Sequence, residues 1–401
     1  MRLAAVLALA ACRGAASGPT IGVDAYFGYA PAGGVTVISQ HPDGEVIDSE
    51  SADAVGHASV VVTGDALISI VFADPTFGTA VVTAQPPSDG SDLVVHGPVP
   101  FEPPTVAGAL QIVPMAAIAA DDFAIDLGCQ APHAQVLPAV VDVDGACLGS
   151  DANLDVLVRA FQAGQLVGYA ATRLDFSAGA AEFDIPSWST DPPSVPITET
   201  GVTAAIDWTL TVDGLPFDAQ PLGATGPLWT GLVVDGATVH AEIAAPPTAE
   251  DTTRQIQGAP TAIAFTTDDF LPTVAPSLVL DTTRGTALAW AAADAAADAD
   301  AIDVQLGWTV GGNAVAWDAV LPPDAGAVAL PDATGDLASA LGPPDATPAA
   351  LLRYVDTSDY TGYDALLTGD LFVMGDQGTS TIAPVPRSGE IRTASVSGYA
   401  P

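Results

Sequence analysis

Residues 34–72 read "GVTVISQHPDGEVIDSESADAVGHASVVVTGDALISIVF", and the punctuation of that run decides the fold. Val35-Thr36-Val37-Ile38-Ser39 is dominated by β-branched residues, whose stiff side chains suit a pleated strand. Pro42-Asp43-Gly44 stops it: proline presets φ, and glycine accepts the positive φ of a tight turn. Residues 45–49 make a second short strand, and Ala54-Val55-Gly56 turns the chain again. Residues 58–62 alternate, Gly64-Asp65 forms another turn, and residues 66–72 read as a buried strand. Residues 79–84 and 93–96 extend the series, which predicts about six strands in a β module over 34–97.

The rest of the chain carries the same signals. With 401 residues it is long enough for two to three domains, and its 39 Gly and 34 Pro favour short strands and turns over helices. "GPVPFEPPT" (97–105) is a Pro-rich linker, stiff by composition. A second β region, 106–245, includes a hairpin over 156–172 that turns at Ala163-Gly164. The stretch 244–260, rich in Pro, Thr and Glu, separates it from a third β region, 261–401. "WTLTVDGLPFDA" (208–219) and "WTVGGNAVAWDA" (308–319) align without gaps, one hundred residues apart, and each reads as a hairpin. This makes regions two and three candidates for a repeat. The Ala-rich run 289–303 reads as strand, acidic loop, then a strand over 302–310. Residues 107–120 ("AGALQIVPMAAIAA") are apolar, but they are too few for a membrane helix and hold Gln111 and Pro114.

Two stretches resemble known families. The strand, "DG" turn, strand order of 34–72 resembles carboxypeptidase-regulatory-like and related Ig-like β-sandwich modules, which are structural or binding units. At the N-terminus, Met1-Arg2 precedes a short apolar run over 3–11, and Leu9-Ala10-Ala11-Cys12 resembles a bacterial lipobox. The resemblance implies a signal peptide over 1–11, lipidation of Cys12, and a tether over 12–33. Arg13 stands where proteins of that family kept at the inner membrane usually carry Asp, so it implies an outer-membrane or cell-surface destination. The other reading is an ordinary signal peptide with a chance cysteine. With Cys12 assigned to lipid, Cys129 and Cys147 remain, and an even pair in an exported chain suggests a disulfide. Two buried thiols are the alternative.

Charge restricts the function. The chain holds 48 Asp and Glu against 9 Arg and no Lys, a formal net charge of −39. Phosphate backbones need clustered cations, so nucleic acid is excluded as a partner, and the same scarcity argues against a direct grip on anionic lipid. Genomic codon bias, adaptation to salt and cation binding are three separate origins for such acidity.

No nucleophile elbow, zinc-protease helix, phosphate loop or dinucleotide fingerprint is present. The five histidines are far apart in sequence. Asp142, Asp144, Asp151, Asn153 and Asp155 approach the opening of a calcium loop, although Val156 and Gln162 occupy positions where an EF-hand requires Gly and Glu. Asp298, Asp300 and Asp303 form a second acidic edge. Tyr354, Tyr360 and Tyr363 alternate with carboxylates over 353–367, a pattern suited to stacking against a sugar. The sequence thus predicts an all-β protein of tandem, Ig-like sandwich modules behind a lipid anchor. Its expected role is non-catalytic: structural, adhesive or binding, with protein or glycan at the cell surface. A carbohydrate- or calcium-dependent binding module, accessory to a hydrolase, is the second reading, and a divergent hydrolase the third.

Overall fold

The computed structural model describes residues 18–27, 30–74, 78–97, 106–127, 132–148, 152–163, 165–190, 194–201, 207–212, 215–220, 227–229, 238–245, 248–255, 263–272, 278–281, 286–291, 294–332, 334–342, 348–358, 360–368, 372–374, 380–382 and 390–397, some by their backbone alone. The fold is all-β. The two α-helices among the described residues, Asp336–Ala340 and Tyr363–Thr368, are each under two turns long.

The strands foreseen in 34–97 form at Thr36–Gln40, Val46–Ser51, His57–Val61, Leu67–Asp74, Gly78–Ala84 and Leu93–Gly97. Gly44, Gly56 and Gly64 take φ of +97°, +82° and +57° at the three turns, the conformation only glycine adopts without strain. The structure adds a strand inside the segment read as tether. Thr20–Phe27 pairs antiparallel with His57–Val61 and parallel with Leu93–Gly97, burying Val23 and Ala25 completely.

Thr36–Gln40, Val46–Ser51, Leu67–Asp74 and Gly78–Ala84 lie at one end of a twelve-stranded sheet. Gly78–Ala84 pairs in parallel with Asn313–Leu321, with Val81 opposite Trp317. The sheet continues through Ala301–Val310, Ala349–Thr357, Glu390–Ser397 and Thr248–Gln255 to Leu215–Gln220. It therefore runs through all three segments that the Pro-rich breaks set apart. Its middle is covered on both faces. Ile68, Ile70, Phe72, Val82 and Val320 join the core beneath Thr20–Phe27 and Leu93–Gly97, while Leu67, Val71, Val81, Trp317 and Leu352 join a second core with Leu288, Trp290 and Val328. Coverage on both sides is why residues 66–72 show no polar alternation, with Ser69 as their single polar residue.

Residues 106–190 form a separate two-sheet sandwich. Val106–Pro114 sits between Ala139–Asp144 and Ala180–Ile185 in one sheet; His133–Ala134, Asp122–Asp126, Asn153–Gln162 and Gln165–Asp175 make the other. Leu110, Ile112, Val143 and Phe183 from the first sheet pack with Phe123, Ile125, Val156 and Val158 from the second. The foreseen hairpin is there, with Ala163 at φ +51° in its turn.

Both Trp-Thr hairpins form, but in different registers. Trp208 lies opposite Gln220, whereas Trp308 lies opposite Val315 because Gly311-Gly312 turns the chain two residues earlier. Residues that align in sequence therefore do not occupy equivalent places.

Candidate functional site

At one end of the 106–190 sandwich, the apolar run beyond Pro114 leaves its strand and crosses toward Asp122–Asp126. Ala139 faces Ile112 in the antiparallel pair, so residues 135–138 arrive at the same end. Between the two segments lies a cleft of about 470 Å³. Met115, Ile118, Phe123, Val136 and Leu137 supply its apolar side chains, Gln135 is its single polar side chain, and backbone polar groups share the lining evenly with the apolar atoms. Met115 is 69% and Val136 72% exposed, unusual for large apolar side chains that end up side by side.

The cleft is held open by its own backbone. Met115 N–H donates to the Ile185 carbonyl at 2.9 Å. Trp188 Nε1–H donates to the Ala116 carbonyl at 2.9 Å, and the Trp188 ring meets Phe123 at 6.0 Å between centroids. Ile118 lies against Gly168, where a Cβ would come within 2.5 Å of its terminal carbon; that glycine makes room for the isoleucine. Gly168 is flanked by a bridge in which Tyr169 and Ser189 exchange N–H···O bonds of 2.9 Å. A preformed apolar cleft binds without the cost of ordering itself. Sealing one Met or Val side chain in it contributes roughly 1.5–3 kcal/mol. None of its lining side chains is ionisable.

The residues singled out in the sequence fall elsewhere. Cys12, Cys129 and Asp151 lie outside the described residues. Cys147 is 8% exposed, in the sandwich core. Asp142 and Asp144 are on the strand Ala139–Asp144, and Asn153 begins Asn153–Gln162 opposite Asp175. Asp155, described by its backbone, faces Arg173. Among the described residues no three His, Cys, Asp or Glu side chains converge to hold a metal ion. Of the second acidic edge, Asp300 accepts the backbone N–H of Thr357 at 3.0 Å and of Gly362 at 2.7 Å, which closes a loop. Asp303 is fully buried and paired with Arg353 at 2.5 Å.

The tyrosines do not form a platform. Tyr354 is completely buried in one core, whereas Tyr360 and Tyr363 pack against the core on the opposite face of the sheet. The Tyr363 hydroxyl donates toward the Val320 carbonyl (2.8 Å) and the Gln85 carbonyl (3.0 Å) and accepts from Gln85 N–H (2.9 Å). Burial pushes its pKa far above the usual tyrosine value. It is a structural strut.

Two histidines do meet partners. His57 Nδ1 contacts Asp24 Oδ1 at 2.8 Å, and His96 stacks on Tyr26 at 5.1 Å, on neighbouring strands of one sheet. The hydrogen bond to Asp24 raises the His57 pKa above its ordinary value. The cleft is not legible in the apolar run 107–120 alone, because its other wall, 135–137, comes from a segment distant in sequence. The usable signal is narrower: six consecutive apolar residues, 115–120, follow a strand-ending proline where a polar loop is the norm.

No protein-family model matches the chain, and no curated protein matches it in sequence.

Proposed function

We propose that the protein is a non-catalytic binding protein, exported and held at the cell surface through lipid on Cys12, and that the cleft at Met115 and Val136 is its binding site for apolar groups. One observation carries the reading: a chain with 48 carboxylates arranges a preformed cleft of about 470 Å³ whose lining holds none of them. Surface charge keeps such a protein soluble and apart from its copies. An uncharged, backbone-anchored cleft on that surface is suited to selective contact.

The lipobox resemblance at residues 9–12 supports the anchor. A disulfide between Cys129 and Cys147 completes the proposal; the burial of Cys147 in the sandwich supports it. Such a bridge favours an oxidising, extracytoplasmic home. The binding reading is tested with N-phenyl-1-naphthylamine, an apolar dye that fluoresces when sheltered from water. The expected result is saturable binding by the full chain that weakens in Val136→Asp. Dye binding equal in the two proteins, or none, overturns it. The anchor is tested by fractionating cells that express Cys12→Ser, which should move to the soluble fraction.

A further inference from the structure

The cleft does not stand alone. It opens at the start of Ala139–Asp144, an outer strand of its three-stranded sheet, and among the described residues no strand pairs with its far side. Exposed edges are templates for further strands, and proteins usually block them with Lys, Pro or a covering loop. Here the chain has no lysine, and Pro138 lies just outside the strand. Along this strand Val140 is 68% exposed and Asp142 is exposed as well, so cleft, apolar residue and carboxylate follow one another. Asp144 ends the strand, partly exposed.

We infer that Ala139–Asp144 is a docking edge for an extended peptide segment of a basic partner, which adds as a strand, seats one apolar side chain in the cleft and sets a Lys or Arg beside Asp142 and Asp144. The inference deepens the proposed binding role and rests on it. Charge selects the occupant. A second copy of this chain would bring its own Val140-Val141-Asp142 row against the same row, like charge facing like charge, between bodies that each carry −39. A cationic strand converts those repulsions into attractions. Main-chain pairing supplies affinity and the alternate side chains supply selection, as in other strand additions. On a strand paired residue for residue, the six positions from Val136 to Asp142 mean that the partner should carry its cation about six residues from its apolar anchor, on the same face.

The test is fluorescence anisotropy with the full chain and three labelled dodecapeptides. One alternates Val and Thr with two Lys in its second half, one replaces both Lys by Glu, and one places Pro at its centre. The expected result is saturable binding of the Lys peptide, at least ~tenfold weaker binding of the Glu peptide, and loss of binding by the Pro peptide. Val136→Asp should weaken the Lys peptide. Asp142→Lys, on the solvent side of the strand and away from the core, should abolish the preference for Lys over Glu. Equal binding of all three peptides, or no saturable binding of the Lys peptide, overturns the inference. If the naphthylamine dye binds and no peptide does, strand docking fails while the apolar cleft stands; if neither binds, both readings fail.

Discussion

Thr83→Val should destabilise the protein although valine is isosteric with threonine and the better strand former. Thr83 is fully buried in the twelve-stranded sheet, within a chain of hydrogen bonds whose direction is fixed. The Trp317 indole N–H, which can only donate, points at Thr83 Oγ1 at 3.0 Å. Gln40 Nε2 donates to the Ala329 carbonyl at 2.7 Å, which orients the amide and leaves Gln40 Oε1 to accept from Ser69 at 3.1 Å. The single Ser69 hydrogen is thereby used, so in the 2.7 Å contact between Ser69 and Thr83 the donor is Thr83. Valine orphans one buried N–H, at about 1–3 kcal/mol, and removes one donor to Ser69, at about 1 kcal/mol. Burying a methyl in place of the hydroxyl returns about 1 kcal/mol. The net loss is about 2 kcal/mol, read from the urea midpoint at unchanged slope. A double-mutant cycle with Trp317→Phe sharpens the test: once Thr83 is gone, losing the indole N–H costs less, so the two changes should be sub-additive by about 1 kcal/mol. A Thr83→Val loss below about 0.5 kcal/mol, or strict additivity, refutes the directional chain and its cost.

Three further outcomes follow from the same structure. Arg159 donates from Nε to Asp126 at 3.0 Å between neighbouring strands of one sheet, and Asp126 is 5% exposed; Arg159→Met should cost about 3 kcal/mol by taking the guanidinium away from that buried carboxylate, and adding Asp126→Asn should recover much of the loss in thermal melts. His57 has its pKa raised by Asp24, so its stabilising contribution is complete below the ordinary histidine value and fades as pH rises through the raised one. The melting difference between wild type and His57→Gln should accordingly be larger at pH 5.5 than at pH 8.5, and small at both because the pair is exposed. A Cβ on Gly108 would overlap the Gly179 carbonyl, so Gly108→Ala should loosen Val106–Pro114 from Ala180–Ile185 and speed amide exchange in those strands, leaving the twelve-stranded sheet protected.

The strands of 34–97 were legible because each is short and either ends in Gly or Asp or is followed within three residues by Gly, Pro or Asp, so local chemistry alone sets their limits. What lies beyond the turn was not. The parallel pairing of Val81 with Trp317 joins residues 236 positions apart, and no local pattern in either strand names its neighbour. The Pro-rich stretch at 97–105 marks a change of sheet for the chain that follows, yet the twelve-stranded sheet resumes on the far side of an entire sandwich. Periodicity reports which face of a strand is buried, not what buries it. The same limit misplaced the tyrosines. Spacing put Tyr354 with Tyr360 and Tyr363, but Tyr354 points from within the strand Ala349–Thr357 into one core, whereas Tyr360 and Tyr363, beyond that strand, pack against the core on the opposite face of the sheet.

Charge was legible in sum and hidden in place. Arg159, Arg254, Arg353 and Arg392 each hold a carboxylate: Asp126, Glu390, Asp303 and Asp356. Arg254 also lies 4.8 Å over the Phe265 ring and donates to the Ala264 carbonyl, tying Thr248–Gln255 to Ile263–Thr266. Cations this scarce go first where a carboxylate is partly or wholly out of water, since an unpaired buried charge is far more costly than an exposed one. The exposed carboxylates, Asp142 among them, then set the field that a partner meets. That ordering sets the cleft apart from the rest of the surface: on a body with 48 carboxylates, its lining carries no charged side chain, so an approaching group meets the field of the surrounding carboxylates but no charge within the cleft itself.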